Sequence, residues 1–223
     1  MRARSELNGW WRLGIAVVGA IYHACFRLRF RGIRHIPKGG PAIVAANHIS
    51  ALDGPVLALA TATGLRRGVR FLVAAEFFEH RWIGPVMRLY EQIPIQRGVG
   101  DAGALDEAVA TIRAGALAGI FPEGRVNPAG TELQRIRTGL ARIALATGAP
   151  VVPVGIWGTQ HRWPEPGLTL RRPLRPKVAV VFGQPIEPVG DPEDPAGLRL
   201  FTSAVAAALE RQTAEARALA GNR

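Results

Sequence analysis

The chain has 223 residues, enough for one domain with a substantial hydrophobic core. Its formal net charge is +11 at pH 7, and of its 28 basic residues only Lys38 and Lys177 are lysines. This arginine excess favours contact with phosphate in anionic membranes, phosphate-bearing substrates or nucleic acid. Cys25 is the only cysteine, which excludes an intrachain disulfide framework and a thiolate zinc site. No apolar run reaches the roughly 18 residues that a membrane-spanning helix needs.

The first predicted element is a mostly apolar segment from Leu13 to Phe26. Trp10 and Trp11 precede it, and a run of arginines begins directly after it at Arg27. Tryptophans at one end and arginines at the other are typical of a helix that lies in the membrane interface. We therefore expect residues 1–30 to form a membrane-associating arm on the cytoplasmic face of a membrane. The alternative is an ordinary N-terminal helix packed on the domain.

Residues 31–223 are expected to form one domain in which strands and helices alternate. Apolar runs bounded by turn signals predict strands at 42–46, 70–74, 92–96, 118–121, 151–157 and 178–182. Helical periodicity and capping signals predict helices at 53–64, 76–90 (broken at Gly84-Pro85), 101–114, 137–147 and 194–219. This order predicts a single-domain α/β fold, with a mixed, mostly parallel sheet flanked by helices.

Polar side chains follow three of the predicted strands. His48, Arg97 and Glu123 each come directly after an apolar run. Parallel sheets place their binding sites at the carboxyl ends of the strands. We therefore expect these three residues to face one common site.

His48 and Asp53 lie five positions apart at a predicted strand-to-helix turn. A carboxylate there can accept a hydrogen bond from one ring nitrogen of the histidine, which fixes the tautomer and leaves the other nitrogen as a base. The structural alternatives are a histidine that only shapes the turn and an aspartate that caps the helix.

A second charged turn, Glu123-Gly124-Arg125, follows Pro122. Its backbone N–H groups and guanidinium can hold a phosphate while the carboxylate holds a hydroxyl. The alternative for this turn is a solvated loop with an internal ion pair, and the alternative for Arg97 is a surface charge.

The serines are Ser5, Ser50 and Ser203, and none of them lies in a G-x-S-x-G sequence. A covalent enzyme intermediate therefore has few candidate nucleophiles. Direct attack by a substrate hydroxyl that His48 deprotonates is a simpler mechanism than one through such an intermediate. Neither a P-loop nor a G-x-G-x-x-G motif is present, which argues against a nucleotide-hydrolysing site.

Taken in order, these residues resemble the lysophosphatidic acid acyltransferase family, the 1-acyl-glycerol-3-phosphate O-acyltransferases. Four blocks carry the resemblance: Asn47-His48-x-Ser50-x-x-Asp53, then residues 93–97, residues 121–124 and residues 149–154. The third block usually continues Gly-Thr-Arg-Ser in that family. Here Gly124 is followed by Arg125, Val126 and Asn127, which leaves the acceptor open.

The resemblance implies that His48 is the general base and that Asp53 orients it, with no metal or bound cofactor. It implies an acyl-CoA or acyl carrier protein donor, a 1-acyl-glycerol-3-phosphate acceptor and phosphatidate as the product. The substrate-binding residues are then expected to be Asn47, Ser50, Arg97, Glu123, Gly124 and Arg125.

Several other functions stay open. A related acyltransferase would use glycerol-3-phosphate, a glycolipid or an amino-lipid as its acceptor. A thioesterase would use water, and a non-catalytic module would only bind anionic lipid. Nucleic-acid binding is not expected, because the arginines are dispersed along the chain and do not cluster with aromatic residues on one recognition element.

Overall fold

The computed structural model describes residues 7–96, 105–127, 133–164, 167–169 and 174–221. The strands are β1 (Arg27–Arg31), β2 (Ala42–Ala46), β3 (Val69–Ala74), β4 (Ile93–Ile95), β5 (Leu117–Ile120), β6 (Val151–Trp157) and β7 (Lys177–Phe182). The helices are α1 (Gly9–Cys25), α2 (Asp53–Leu65), α3 (Glu76–Glu79), α4 (Ile83–Leu89), α5 (Asp106–Arg113), α6 (Gly139–Thr147) and α7 (Pro195–Leu219).

These strands form one sheet in the order β1-β7-β6-β2-β5-β3-β4. All neighbouring strands run parallel except β6 and β7, which are antiparallel. The predicted α/β fold with a mixed, mostly parallel sheet is therefore confirmed. Because β2, β5 and β6 are parallel neighbours, the residues that follow them meet at one edge of the sheet.

Helices cover both faces of the sheet, and β2 at its centre is completely buried. Successive strand side chains point to opposite faces. Val44 packs in one apolar cluster with Leu57 of α2, whereas Ile43 packs in another with Leu140 of α6 and Val205 of α7. The alternation along β2 therefore separates the two halves of the core.

The predicted break in the helix at 76–90 is in the wrong place. Helices α3 and α4 are separated at residues 80–82, and Pro85 lies in the first turn of α4. Proline is tolerated there because the N–H groups of a first turn have no partner within the helix. The predicted start of a helix at Asp101 lies outside the described residues, which resume at Leu105.

The sequence does not predict strand β1, because its arginines indicate the basic end of the membrane-associating arm. It is an edge strand that pairs with β7, from Arg27 opposite Lys177 to Arg31 opposite Val181. Arg31 forms an ion pair with Glu215 of α7 at 2.7 Å. Part of the basic charge that suggested contact with a membrane is therefore paired with an acidic side chain of the same protein.

Helix α1 packs against α2 and forms a hydrogen bond with the turn that precedes α2. The hydroxyl of Tyr22 donates to the carbonyl oxygen of Leu52 at 2.6 Å. Burial, and secondly the negative charge of Asp53, raise the pKa of Tyr22, so the phenol stays protonated and remains a donor. Among the described helices, none combines the length and the apolar character needed to cross a bilayer.

Candidate active site

His48 and Asp53 form a hydrogen-bonded pair at the carboxyl end of β2. The ring Nδ1 of His48 lies 3.0 Å from Oδ2 of Asp53. The carboxylate is completely buried, whereas 19% of the histidine side chain is exposed. An ionised carboxylate only accepts hydrogen bonds, so Nδ1 carries the proton and Nε2 keeps its lone pair. This arrangement makes Nε2 available as a base.

Asp53 is held by the turn that it closes. Its Oδ2 also accepts the main-chain N–H groups of Ile49, at 2.7 Å, and Ser50, at 2.8 Å. Its Oδ1 accepts the hydroxyl of Thr159 at 2.6 Å. The side chain does not cap α2, whose N-cap position is Leu52. Four donors therefore surround a carboxylate that water does not reach, and they offset the cost of burying its charge.

Asn47 and Ser50 make their polar contacts inside the protein. The side chain of Asn47 bridges both backbone groups of Ile156, accepting its N–H at 2.7 Å and donating to its carbonyl at 3.0 Å. The hydroxyl of Ser50 donates to the carbonyl oxygen of Trp163 at 2.8 Å and accepts the N–H of Leu52. Both side chains are buried. In contrast to the expectation from the sequence, we therefore expect neither to contact substrate.

Glu123 also makes its contacts with the backbone, although it was expected to hold a substrate hydroxyl. Its Oε1 accepts the N–H of His48 at 2.7 Å, and its Oε2 accepts the N–H of Gln134 at 3.0 Å. Only 3% of the residue is exposed. We propose that Glu123 positions the backbone of His48 and joins it to the segment that contains Gln134.

The buried carboxyl of Glu123 gives a pH-dependent prediction. Burial raises its pKa above the ordinary value of 4.5, although the N–H groups of His48 and Gln134 oppose the shift. The folded protein therefore binds a proton more tightly here than the unfolded chain does, and this residue's contribution to stability falls as the pH rises from 4.5 through the raised pKa.

Glu123→Gln removes this titration. The free energy of unfolding of the variant minus that of the wild type should therefore increase over the same pH window and then level off. Denaturant unfolding between pH 4 and pH 8 measures this difference. A difference that is constant with pH would contradict a raised pKa at Glu123.

His48 faces a cavity of about 1770 Å³ that is lined mainly by apolar side chains from α1, α2, β3 and α4. The ring of Phe121 stacks on that of His48, with centroids 4.1 Å apart, and Phe71 stacks on Phe121 at 5.5 Å. All three rings line the cavity. Stacking on Phe121 restricts the plane of the imidazole. The two phenylalanine rings extend this side of the cavity as an apolar surface, which suits a long hydrocarbon chain.

Cationic side chains line the same cavity. Arg125 and Arg137 both contribute to its wall, and Nε of Arg125 donates to Oε1 of Gln134 at 3.1 Å. Gly124 has φ +73°, and a Cβ atom built on it would lie 3.1 Å from Nε of Arg137. Glycine therefore gives the backbone a conformation that side chains disfavour, and it leaves room for a guanidinium beside the turn.

Of the residues predicted for the site, His48, Asp53, Glu123, Gly124 and Arg125 lie together at the edge formed by β2 and β5. Arg97 lies outside the described residues. Among the residues that the structure describes, no three histidine, cysteine or carboxylate side chains form a group that could hold a metal ion.

The sequence interpretation missed two residues of the site. Phe121 stacks on His48, and the hydroxyl of Thr159 donates to Asp53. Thr159 lies two residues after the predicted strand 151–157, in the position relative to β6 that His48 occupies relative to β2. Thr159 could therefore have been predicted from the rule that sites form at the carboxyl ends of parallel strands.

Fold and site together define an α/β protein in which a hydrogen-bonded pair, His48 and Asp53, lies beside a large apolar cavity that His48 lines. The family model described as Acyltransferase matches residues 27–157, more than half of the chain, and the chain therefore belongs to the acyltransferase family. This confirms the resemblance that the ordered motifs indicated.

Known proteins give a consistent picture. The crystal structure of the 1-acyl-sn-glycerophosphate acyltransferase PlsC from Thermotoga maritima matches with a TM-score of 0.73 and 26% identity, over 96% of this chain and 83% of that one. The 1-acyl-sn-glycerol-3-phosphate acyltransferase of Bacillus subtilis is 24% identical, over 68% of this chain and 70% of that protein.

A relative with a different name is more similar in sequence. The N-acylphosphatidylethanolamine synthase of Arabidopsis thaliana is 32% identical over 170 residues, which are 68% of this chain. The match spans 57% of that protein, so this chain corresponds to little more than half of its length.

Proposed function

We propose that this protein transfers a fatty acyl group from an acyl thioester to the free hydroxyl of 1-acyl-glycerol-3-phosphate, giving phosphatidate. The observation that carries the proposal is the pair of His48 and Asp53, which directs a free Nε2 atom into the apolar cavity. The names of the Bacillus and Thermotoga relatives support this choice of acceptor.

In the proposed mechanism, Nε2 of His48 removes the proton of the acceptor hydroxyl as the oxygen attacks the thioester carbonyl carbon. A new C–O bond forms and gives a tetrahedral intermediate. Collapse of the intermediate breaks the C–S bond, and the departing thiolate takes the proton back from His48. Asp53 stabilises the imidazolium that forms in between.

The acceptor phosphate is proposed to bind at the cationic part of the cavity wall. Arg125 is the residue expected there from the sequence, together with Arg97. Arg137 is a further candidate, because it also lines the cavity and its guanidinium lies over Gly124. Arginine binds phosphate through two parallel N–H donors, and the positions of these arginines would set the orientation of the glycerol.

A second candidate acceptor is the amine of an amino-lipid such as phosphatidylethanolamine. Two observations favour it: the Arabidopsis relative is named an N-acylphosphatidylethanolamine synthase, and Arg125 occupies the position where the third family motif usually has threonine. The same base can serve this reaction, because an amine must also lose a proton to become an amide.

The test is the release of free thiol from acyl-CoA or acyl carrier protein donors of several chain lengths in detergent. Each donor is assayed with 1-acyl-glycerol-3-phosphate, with glycerol-3-phosphate, with phosphatidylethanolamine and without acceptor, and the lipid product is identified by mass. Phosphatidate formation supports the proposal, and an N-acylated lipid supports the second candidate. Thiol release that does not depend on acceptor indicates a thioesterase, and no release with any pair indicates a binding module.

We further propose that α1 lies in the interface of an anionic membrane, on its cytoplasmic face. Trp10, Leu13, Val17 and Ile21 are spaced three or four residues apart, and each is more than half exposed. They therefore form an apolar stripe along one face of the helix. Three of them, Trp10, Leu13 and Val17, also line the cavity, so a lipid leaving the bilayer would enter beside His48.

Ile21 tests this orientation, because it is 54% exposed and does not line the cavity. Ile21→Glu should weaken binding to vesicles that contain anionic phospholipid about tenfold or more, since a buried apolar side chain is replaced by a charge. Co-sedimentation measures the binding. The matched control is Leu200→Glu, at an exposed leucine of α7, which should bind like the wild type. Equal binding by both variants would contradict the proposed face.

A further inference from the structure

The carboxylate of Asp53 is held from two sides. Three donors converge on Oδ2, namely Nδ1 of His48 and the main-chain N–H groups of Ile49 and Ser50. The hydroxyl of Thr159 donates to Oδ1 at 2.6 Å. Asp53 and Thr159 are both completely buried, so water cannot take the place of this hydroxyl.

A rigid turn places Thr159. It begins a short 3-10 helix, Thr159–His161, directly after Gly158, which has φ +105°. A Cβ atom on Gly158 would lie only 2.1 Å from the carbonyl oxygen of Lys177 in β7, so the turn fits tightly against that strand. The N–H of Gly158 also donates to Oε1 of Gln160 at 2.8 Å. The position of the hydroxyl is therefore fixed by the packing of β6 against β7.

We propose that Thr159 is a positioning residue for the general base and acts through Asp53. Its hydroxyl holds the plane of the carboxylate so that Oδ2 faces Nδ1 of His48. Without this donor Oδ1 loses its hydrogen bond, and the carboxylate is held from the Oδ2 side alone. The acceptor that holds the imidazole in its tautomer is then less well oriented. This inference rests on the proposed function, in which His48 is the base.

The first test compares Thr159→Val with Thr159→Ser. Valine keeps the shape and removes the donor, so kcat should fall about 10- to 100-fold while the KM for the acceptor stays unchanged. Serine keeps the hydroxyl and should restore most of the activity. Thr159→Ala, which also lacks the donor, replaces the valine variant if that variant does not fold.

The chain offers a matched control. Thr213 in α7 also has a buried hydroxyl, but that hydroxyl has no hydrogen-bond partner in the part of the chain that the structure describes. Thr213→Val should therefore have the same kcat and KM as the wild type. A Thr159→Val enzyme with unchanged kcat would overturn the proposal. So would equal losses in the valine and serine variants with a raised KM, because they would show a purely structural role.

A second readout does not depend on turnover. A proton held between an imidazole nitrogen and a buried carboxylate gives a far-downfield ¹H NMR signal. Wild type and Thr159→Ser should show this signal for His48, and Thr159→Val should show it shifted or lost. An unchanged signal in Thr159→Val would overturn the positioning role. If the wild type is inactive with every donor and acceptor, the proposed function fails, but this spectrum still tests the contact.

Discussion

His48→Ala should lower kcat about 1,000- to 10,000-fold, the largest effect expected of any single substitution here. Without the imidazole, nothing removes the hydroxyl proton as the C–O bond forms. The fold should persist, because the backbone of His48 keeps its hydrogen bonds to Glu123 and Asn127. Thiol release under saturating donor and acceptor, together with thermal unfolding, measures both effects.

The control for this prediction is His80→Ala. His80 is exposed, precedes α4 and does not line the cavity, so its loss should leave kcat unchanged. Near-normal turnover by the His48→Ala variant would exclude His48 as the base, whatever its geometry.

Asp53→Asn should lower kcat about 100- to 1,000-fold, since two unit charges about 4 Å apart attract each other by roughly 4 kcal/mol at an intermediate dielectric. The N–H groups of Ile49 and Ser50 require an acceptor, so the amide oxygen should take the place of Oδ2. The amide NH₂ then faces the hydroxyl of Thr159, which can turn and accept from it. Asparagine therefore keeps the turn but removes the negative charge that stabilises the imidazolium.

Asp53→Ala separates the structural effect from the electrostatic one. It leaves two buried N–H groups and a threonine hydroxyl without an acceptor, so it should lower the unfolding temperature markedly, whereas Asp53→Asn should lower it little. Circular dichroism melts of the two variants test this. An asparagine variant that retains full kcat would show that the reaction does not require the carboxylate charge.

Much of the fold could be predicted because its strands are short apolar runs between clear turn signals. Strands β2 and β6 have the predicted bounds, and the helix predicted at 194–219 is α7, whose Phe201 and Leu209 lie in the core. The helix predicted at 137–147 has the predicted end, where Gly148 takes the left-handed conformation after α6. Strand β1 could not be predicted in this way, because it is an exposed edge strand whose alternating arginines give no apolar run.

The site was harder to predict than the fold. Local sequence brings His48 and Asp53 together, because they lie on one turn. The partners of Asn47, Ser50 and Glu123 come from segments far away in the sequence, so a motif could show that these side chains matter but not what they contact. Their burial, which only the packed sheet determines, changes their expected role from binding substrate to holding the backbone around the site.

The separations of these contacts along the chain have a consequence for biosynthesis. Glu123 lies 75 residues after His48, and Thr159 lies 106 residues after Asp53. Non-local pairings of this kind slow folding, and a domain synthesised from its N-terminus cannot form them early. Helix α1, by contrast, precedes β1 to β7 in the chain and emerges from the ribosome before them. In the proposed orientation of α1, a nascent chain can present its apolar stripe to a membrane before the contacts of His48 and Asp53 are complete, so the site would finish folding beside the membrane.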